Sequence, residues 1–341
     1  MRGELSVLNP STLKGKRVVF KDKGLVEIED FVPKKPDLNQ VLIESISTLI
    51  SPGTETAFLM ALPNTPAKFP IYPGYSNAGI VCAKGEAVTS LNIGDRVVSH
   101  KPHASHVLAE EREVEKIPEN LSFDEASFFA LASIAMQGVR KADIELGESV
   151  LVLGQGLVGN LALQLAKLSG GIPVIGVDFY DYRLDVAKKC GADEVINPSK
   201  VDLKDAVAKA TDGRGPDVVI EATGSPEAIP LALDLARTRG RVILLGSTRG
   251  VSTVNFYSLV HRKGVIIIGA HDSIRPAYES SRRFWTRKDD AKLSLKLISR
   301  GLLKVRDLIT MKVRFEEAAS AYRKLIDSKE STLGIILDWR T

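Results

Sequence analysis

Cysteine is nearly missing from these 341 residues: there are two, Cys82 in a valine-rich strand pattern and Cys190 in a helix-like run. Neither has a neighbour at metal-ligand or redox spacing, so both read as buried thiols. Long apolar runs are missing as well. The longest, such as 149–153 and 265–270, fall far short of the about 20 residues that cross a bilayer, so no membrane association and a soluble protein are expected. Residues 1–16 lack a continuous apolar core followed by a small-residue cleavage site; no secretory signal and a cytoplasmic location are therefore expected. Charge of one sign is in little excess. The 46 Lys and Arg against 42 Asp and Glu leave a formal +4, spread along the chain, which argues against a nucleic-acid partner. Repeats, low-complexity stretches and Ser/Gly linkers are absent too, so the domains are expected to pack around a cleft rather than hang on a tether.

What is present suffices for two ordinary domains, with 44% hydrophobic and 26% charged positions,. From Arg17 to about Ser99, short β-rich runs (40–47, 78–84, 95–99) alternate with Pro and Gly signals, which predicts a mostly β domain. Ser122 and Glu125 form a capping box before an apolar helical stretch that begins at Ala126. From Ser149 to about Ala270, strand-like runs (150–153, 174–178, 218–222, 241–246, 265–269) alternate with helix-like ones. That alternation predicts a parallel, doubly wound α/β sheet. The tail carries two amphipathic helices, 289–299 and 315–327, and a last strand, 334–338, placed to return and complete the first domain.

The sharpest motif is Val150-Leu-Val-Leu-Gly154-Gln-Gly156-Leu-Val-Gly159. It sets GxGxxG directly after a buried strand and at the start of a helix, the context in which the motif binds a dinucleotide. Gly154 permits the tight turn, Gly156 lets the backbone approach a pyrophosphate, and Gly159 allows close helix packing. Gln155, Leu157 and Val158 complete the loop, and the helix N-terminus would face the phosphates. Asp178, nineteen residues beyond Gly159, ends the second strand where a carboxylate accepts hydrogen bonds from the adenosine ribose and repels a 2′-phosphate. NAD is therefore expected ahead of NADP. Asp178 could otherwise be a helix cap, and Arg183 could stack beside the adenine. Thr223, Gly224, Gly246 and Ser247 end later strands at the sheet's carboxyl edge, and Ala270 and His271 follow the last one.

The order of these motifs resembles the medium-chain dehydrogenase/reductase superfamily over nearly the whole chain. Its landmarks are 49–55 (LISPGTE), 73–79 (PGYSNAG), 94–98 (GDRVV), the glycine loop, and 221–224 (EATG) with Gly240-Arg241 following. The chain is also similar to polyol and threonine dehydrogenase-like members. It is similar as well to the first half of bi-domain oxidoreductases of surface-sugar biosynthesis, on Ser51 to Glu55, Gly74 to Ser76, Ala135 to Arg140 and Leu333 to Asp338. The resemblance implies a GroES-like, mostly β catalytic domain over residues 1–130 and 293–341 and a Rossmann NAD-binding domain over 131–292. It also implies a small-molecule alcohol or ketone substrate and a homodimer or homotetramer through edge strands near 266–269.

The zinc-ligand positions of that superfamily read differently here. The Cys position matches Pro52, the His matches Tyr75, the Glu after it matches Ser76, and the acidic ligand opening the long helix matches Ala130. Proline and alanine cannot bind zinc, and the four-cysteine structural lobe is absent, so no metal is expected. Another group must then take the substrate's proton. Tyr75 becomes a base if NAD or a cation such as Lys101 stabilises its phenolate. Thr54 matches the hydroxyl that relays protons in the zinc relatives, or is only a turn residue. Glu55 is a base, an orienting group or a structural ion pair. His100, His103 and His106 form the one histidine cluster; strand period would set His100 and His106 on one face, opposite His103. Substrate contact and plain packing both remain open for them. His271 and Asp272 are further site candidates, and the basic run 282–288 either holds a substrate anion or is a solvated helix start. The expected activity is zinc-independent hydride exchange between NAD(H) and a polyol, cyclitol or sugar-like substrate. A quinone or enone reductase and a non-catalytic NAD-binding protein are the competing readings.

Overall fold

The computed structural model describes residues 13–66 and 68–340. Residues 1–12, with the expected absence of a leader and the start of the expected β domain, lie outside them. A charged hairpin, β1 (Gly15–Asp22) and β2 (Leu25–Phe31), precedes the long strand β3 (Gln40–Leu49), and a helix, α1 (Pro52–Leu59), follows at once. Next come β4 (Asn77–Lys84), β5 (Arg96–Ser99), β6 (His106–Glu110) and β7 (Val114–Lys116). β3 is the centre of this mainly antiparallel sheet, pairing with both β4 and β6. The Ser122 capping box forms and starts a single turn, α2 (Phe123–Ala126); the long helix α3 (Phe129–Ala142) begins three residues later than the apolar stretch suggested.

The second sheet is parallel throughout. β8 (Val150–Leu153), β9 (Val174–Val177), β10 (Glu194–Ile196), β11 (Val218–Glu221), β12 (Arg241–Leu244) and β13 (Ile266–Gly269) take the spatial order β10-β9-β8-β11-β12-β13. Strand order reverses between β8 and β11, and in doubly wound sheets a ligand binds at that switch, outside the strands' carboxyl ends. β8 is buried at all four positions, as expected of a strand with helices on both faces. Four helices connect these strands: α4 (Leu157–Leu168), α5 (Asp181–Cys190), α6 (Leu203–Ala210) and α7 (Ala228–Leu235). β10 escaped the sequence reading because three residues carry too little pattern to register.

The chain then leaves through α8 (Arg287–Ser299), β14 (Ile309–Arg314), α9 (Ala318–Asp327) and β15 (Gly334–Asp338). β15 pairs antiparallel with β3, setting Leu337 opposite Thr48, so the tail does rejoin the first sheet. Between the two sheets lies α3. Its Phe129, Leu131 and Ala135 share one buried cluster with Leu49 and Val98 of the first sheet and Val150 and Val152 of the second.

Candidate active site

The glycine loop is built for close approach. Gly154 sits at φ +88°, in the left-handed region, and a Cβ at Gly159 would lie 1.8 Å from the Gly154 carbonyl oxygen. A Cβ at Gly156 would meet nothing within 4 Å. Gly156 is also the N-cap of α4 and supplies no capping side chain, which leaves the helix's first amides available to an anion. Leu157 is buried and Val158 packs against the same core, so both serve the loop through backbone alone. Gln155 does likewise: its side chain is buried against Gly176 and donates to the Val152 carbonyl at 3.0 Å.

Asp178 ends β9 with its carboxylate already engaged. It accepts from the Gln155 amide at 2.7 Å and the Tyr180 amide at 3.0 Å, and Arg183 stands 3.7 Å away. Arg183 lies against the Tyr180 ring and donates to the Lys329 carbonyl at 2.9 Å. At the end of β11 the fully buried Glu221, whose carboxyl burial pushes up, accepts from the amides of Thr223 (2.6 Å) and Gly224 (3.1 Å) and from the Thr223 hydroxyl. That carboxylate pins the turn carrying both residues. A Cβ at Gly246 would come within 2.6 Å of the Gly224 amide, and Ser247 lies against Gly224 through its carbonyl. Gln137 of α3, unrecognised from sequence, donates to the carbonyls of Ala270 (2.9 Å) and His271 (2.7 Å). The His271 ring is exposed and bonded to Ser273.

Across the crevice, Tyr75 is bonded to Ser51, hydroxyl to hydroxyl, at 2.6 Å, with Thr54 nearby on the same turn as Ser51. Burial, with Glu55 and Asp272 adding to it, pushes the Tyr75 phenol up to about 12. The expected cation is elsewhere: Lys101 pairs with Glu113 at 3.1 Å. Without a cation at its hydroxyl, the phenol keeps its proton at neutral pH in the cofactor-free chain. Ser51 stood in plain view in the quoted 51–55 run, but nothing there marked it as the tyrosine's partner.

Glu55 and His103 come together, though not in the open cleft. Glu55 is 1% exposed and His103 is fully buried. Glu55 Oε1 accepts from the Ser51 amide at 2.8 Å. Its Oε2 lies 2.9 Å from His103 Nε2 and also accepts from the Tyr322 hydroxyl. On the far side of the ring, His103 Nδ1 meets the Thr48 hydroxyl at 2.7 Å, which in turn accepts from the Trp339 indole at 2.9 Å. Indole only donates, so Thr48 is free to donate to Nδ1 and leave the proton on Nε2 facing the carboxylate. Glu55, through the Ser51 amide, and His103 behind it thus brace the turn that carries Ser51. Tyr322 and Trp339 belong to this network and were missed, because the fold brings them from the far end of the chain.

The strand argument for the histidines fails because 100–105 is a loop between β5 and β6. His100, partly buried against Phe129 at 4.7 Å, has an Nε2 without a partner among the described residues. Burial, with Arg287 adding to it, brings its pKa down to about 4. His106 bonds to Ser105 at 3.1 Å. Around His100, Asp272 holds Arg275 and Arg287, the latter at 2.6 Å, and Arg275 reaches Asp290 at 2.5 Å. The basic run does not offer free charge: Arg282 and Arg283 face Asp143, and Lys288 faces Glu115 at 3.8 Å. Among the described residues, no three His, Cys, Asp or Glu side chains group in a way that could hold a metal ion, and no helix is long and apolar enough to cross a membrane.

Comparison with known proteins finds dehydrogenases and reductases. Residues 158–279 match the family model described as zinc-binding dehydrogenase. The D-guloside 3-dehydrogenase of Escherichia coli K12 is 30% identical over 253 residues, covering 73% of this chain and 72% of that protein. A probable D-xylulose reductase A of Aspergillus clavatus is 30% identical over 76% of this chain and 78% of its own. In fold, an Escherichia coli CFT073 structure described as a short chain alcohol dehydrogenase complexed with NADH superposes with a TM-score of 0.81 at 22% identity, covering 95% of this chain and 99% of that one.

Proposed function

From the premise that this chain belongs to the zinc-type medium-chain alcohol and polyol dehydrogenase/reductase superfamily, we propose that it exchanges hydride between NAD(H) and a secondary alcohol or ketone of a polyol, cyclitol or sugar-like substrate, without zinc. The named activities of its relatives on a guloside and on xylulose support the substrate class. The residues fit a nicotinamide dinucleotide: the loop 154–159 with the uncapped start of α4 would hold the pyrophosphate, and Asp178 the adenosine ribose,. When bound, that cofactor supplies or accepts the hydride. Asp178 supports NAD over NADP, since a carboxylate repels a 2′-phosphate. The donor set does not fit zinc. Pro52 and Ala130 carry no ligand atom, Tyr75 is hydrogen-bonded to Ser51, and Glu55 is enclosed with His103 and Tyr322,.

The Tyr75–Ser51 hydroxyl pair carries this reading. A phenol held near 12 keeps its proton at neutral pH, so Tyr75 donates to a substrate carbonyl oxygen as negative charge grows there, and Ser51 and Thr54 relay the replacement proton. In the reverse direction the same hydroxyls take the proton away. The test is NADH formation by protein dialysed against a chelator and assayed for metal, with NAD and a panel of polyols, cyclitols, sugars and nucleotide-sugars. Turnover in the metal-free protein is expected; turnover only after zinc is restored would sink the reading.

A further inference from the structure

Every cation whose charge reaches His100 or Tyr75 can be followed to its counter-ion, with one exception. Arg275 is shared between Asp272 and Asp290, and Arg287 grips Asp272 through two nitrogens at 3.0 and 2.6 Å. Arg249 has no such partner. It lies five residues past the end of β12, at the sheet's carboxyl edge and near Tyr75. Its Nη1 donates to the Asn64 carbonyl at 3.2 Å, and among the described residues no carboxylate reaches its guanidinium. The position is nonetheless firmly built. Its own amide donates to the Gly224 carbonyl at 3.0 Å, and Asn64 Nδ2 returns a bond to the Thr248 carbonyl at 2.9 Å. The two Asn64 contacts tie the loop after β12 to the loop after α1, and the Gly224 contact ties it to the loop after β11. The side chain is half-buried, and that burial lowers its pKa.

Partly desolvating a guanidinium without a counter-charge is costly, and a rigid fork of remaining N–H donors matches an oxyanion better than any neutral group. We propose that Arg249 is the residue that reads an oxyanion, a carboxylate or a phosphate ester, on the substrate, so that the polyol or sugar presented to Tyr75 is an acidic one. The assignment rests on the dehydrogenase reading above for the word substrate; the anion site itself rests on Arg249. The basic run 282–288, the obvious candidate from sequence, has Asp143, Asp272 and Glu115 facing its charges, whereas among the described residues no carboxylate faces Arg249.

The experiment measures binding and turnover separately. Calorimetric titration of the protein–NADH complex with D-gluconate, D-glucitol 6-phosphate and uncharged D-glucitol is run on the native chain, Arg249→Met and Arg249→Lys, with NADH affinity measured for each. At least one of the two anions should bind tenfold or more tighter than glucitol, and the tighter of them identifies carboxylate or phosphate. Arg249→Met should erase that preference through KM while NADH affinity stays within threefold, and Arg249→Lys should restore part of it. Equal binding of charged and uncharged probes, no binding of any, or a collapse of NADH affinity in Arg249→Met would each overturn the proposal, the last by assigning Arg249 to the cofactor. Arg249-dependent binding of an anion with no NADH formed in the matching oxidation assays would keep the anion site and sink the dehydrogenase reading. Oxidation of glucitol with no preference for either anion would do the reverse.

Discussion

At Tyr75 the phenol loses solvent and gains hydroxyl partners rather than a cation, since Lys101 turns to Glu113. Its proton therefore stays on oxygen to about pH 12 in the cofactor-free protein, and its chemistry begins from the donor side. Tyr75→Phe is expected to lower kcat by roughly 10²- to 10³-fold at neutral pH, the scale of a lost general acid, with NADH affinity nearly unchanged. Stopped-flow single turnovers and a separate NADH titration check this; a loss confined to KM would assign Tyr75 to binding alone. His100 adds a pH dependence of stability. Burial brings its folded pKa from the usual 6.5 down to about 4. Between those values the unfolded chain takes up a proton that the folded chain refuses. Its contribution to stability is whole above pH 6.5 and falls as pH drops toward 4. Urea midpoints at pH 7 and pH 5 should differ less in His100→Phe than in the native chain.

On the scale of the element, two glycines three residues apart, Gly156 and Gly159, make opposite demands. A methyl at Gly159 would collide with the Gly154 carbonyl, whereas a methyl at Gly156 enters open space. Gly159→Ala should destabilise the β8–α4 turn or prevent folding. Gly156→Ala should melt within a few degrees of the native chain, yet bind NADH at least tenfold more weakly, because its methyl occupies the cofactor's approach. Thermal melts with and without NADH separate the two; an unaltered NADH affinity in Gly156→Ala would remove the loop from the binding site. Such elements were readable because their signals are local. The 3.6- and 2-residue periods, Gly154 at the tight turn and Ser122 three residues before Glu125 all act within a few residues of themselves. The pattern argument failed over 100–105, where the chain is a loop with bends at His100 and His103 and the period lapses.

For the whole molecule, what matters is how distant segments neutralise one another. Arg140 of α3 and Arg275 after β13 converge on Asp290 of α8, which is fully buried. Asp290→Asn leaves Arg140 without a counter-charge and Arg275 with Asp272 alone, and should cost about 3–5 kcal/mol, the penalty of breaking a buried pair; denaturant unfolding measures it. β13 is the outer strand of the parallel sheet, and Ile266 on it is 54% exposed. An uncovered apolar edge is a pairing template, so the chain is expected to assemble with copies of itself there. Ile266→Lys should shift sedimentation toward monomer, and an unchanged sedimentation coefficient would place the contact elsewhere.

By itself, then, the sequence determined the doubly wound sheet and the glycine loop 154–159, and from it comes the reading that Pro52, Tyr75 and Ala130 stand where zinc relatives carry ligands. Each of those depends on residue type and short-range spacing. Only the tertiary structure decided which charges are spent and which remain. It enclosed Glu55 and His103 with Tyr322 and Trp339, set carboxylates against the basic run 282–288, and left Arg249 without one among the described residues. The physical reason is range. A hydrogen bond or an ion pair acts over a few ångströms of space, and residues 55 and 322 become neighbours only after β15 has closed against β3.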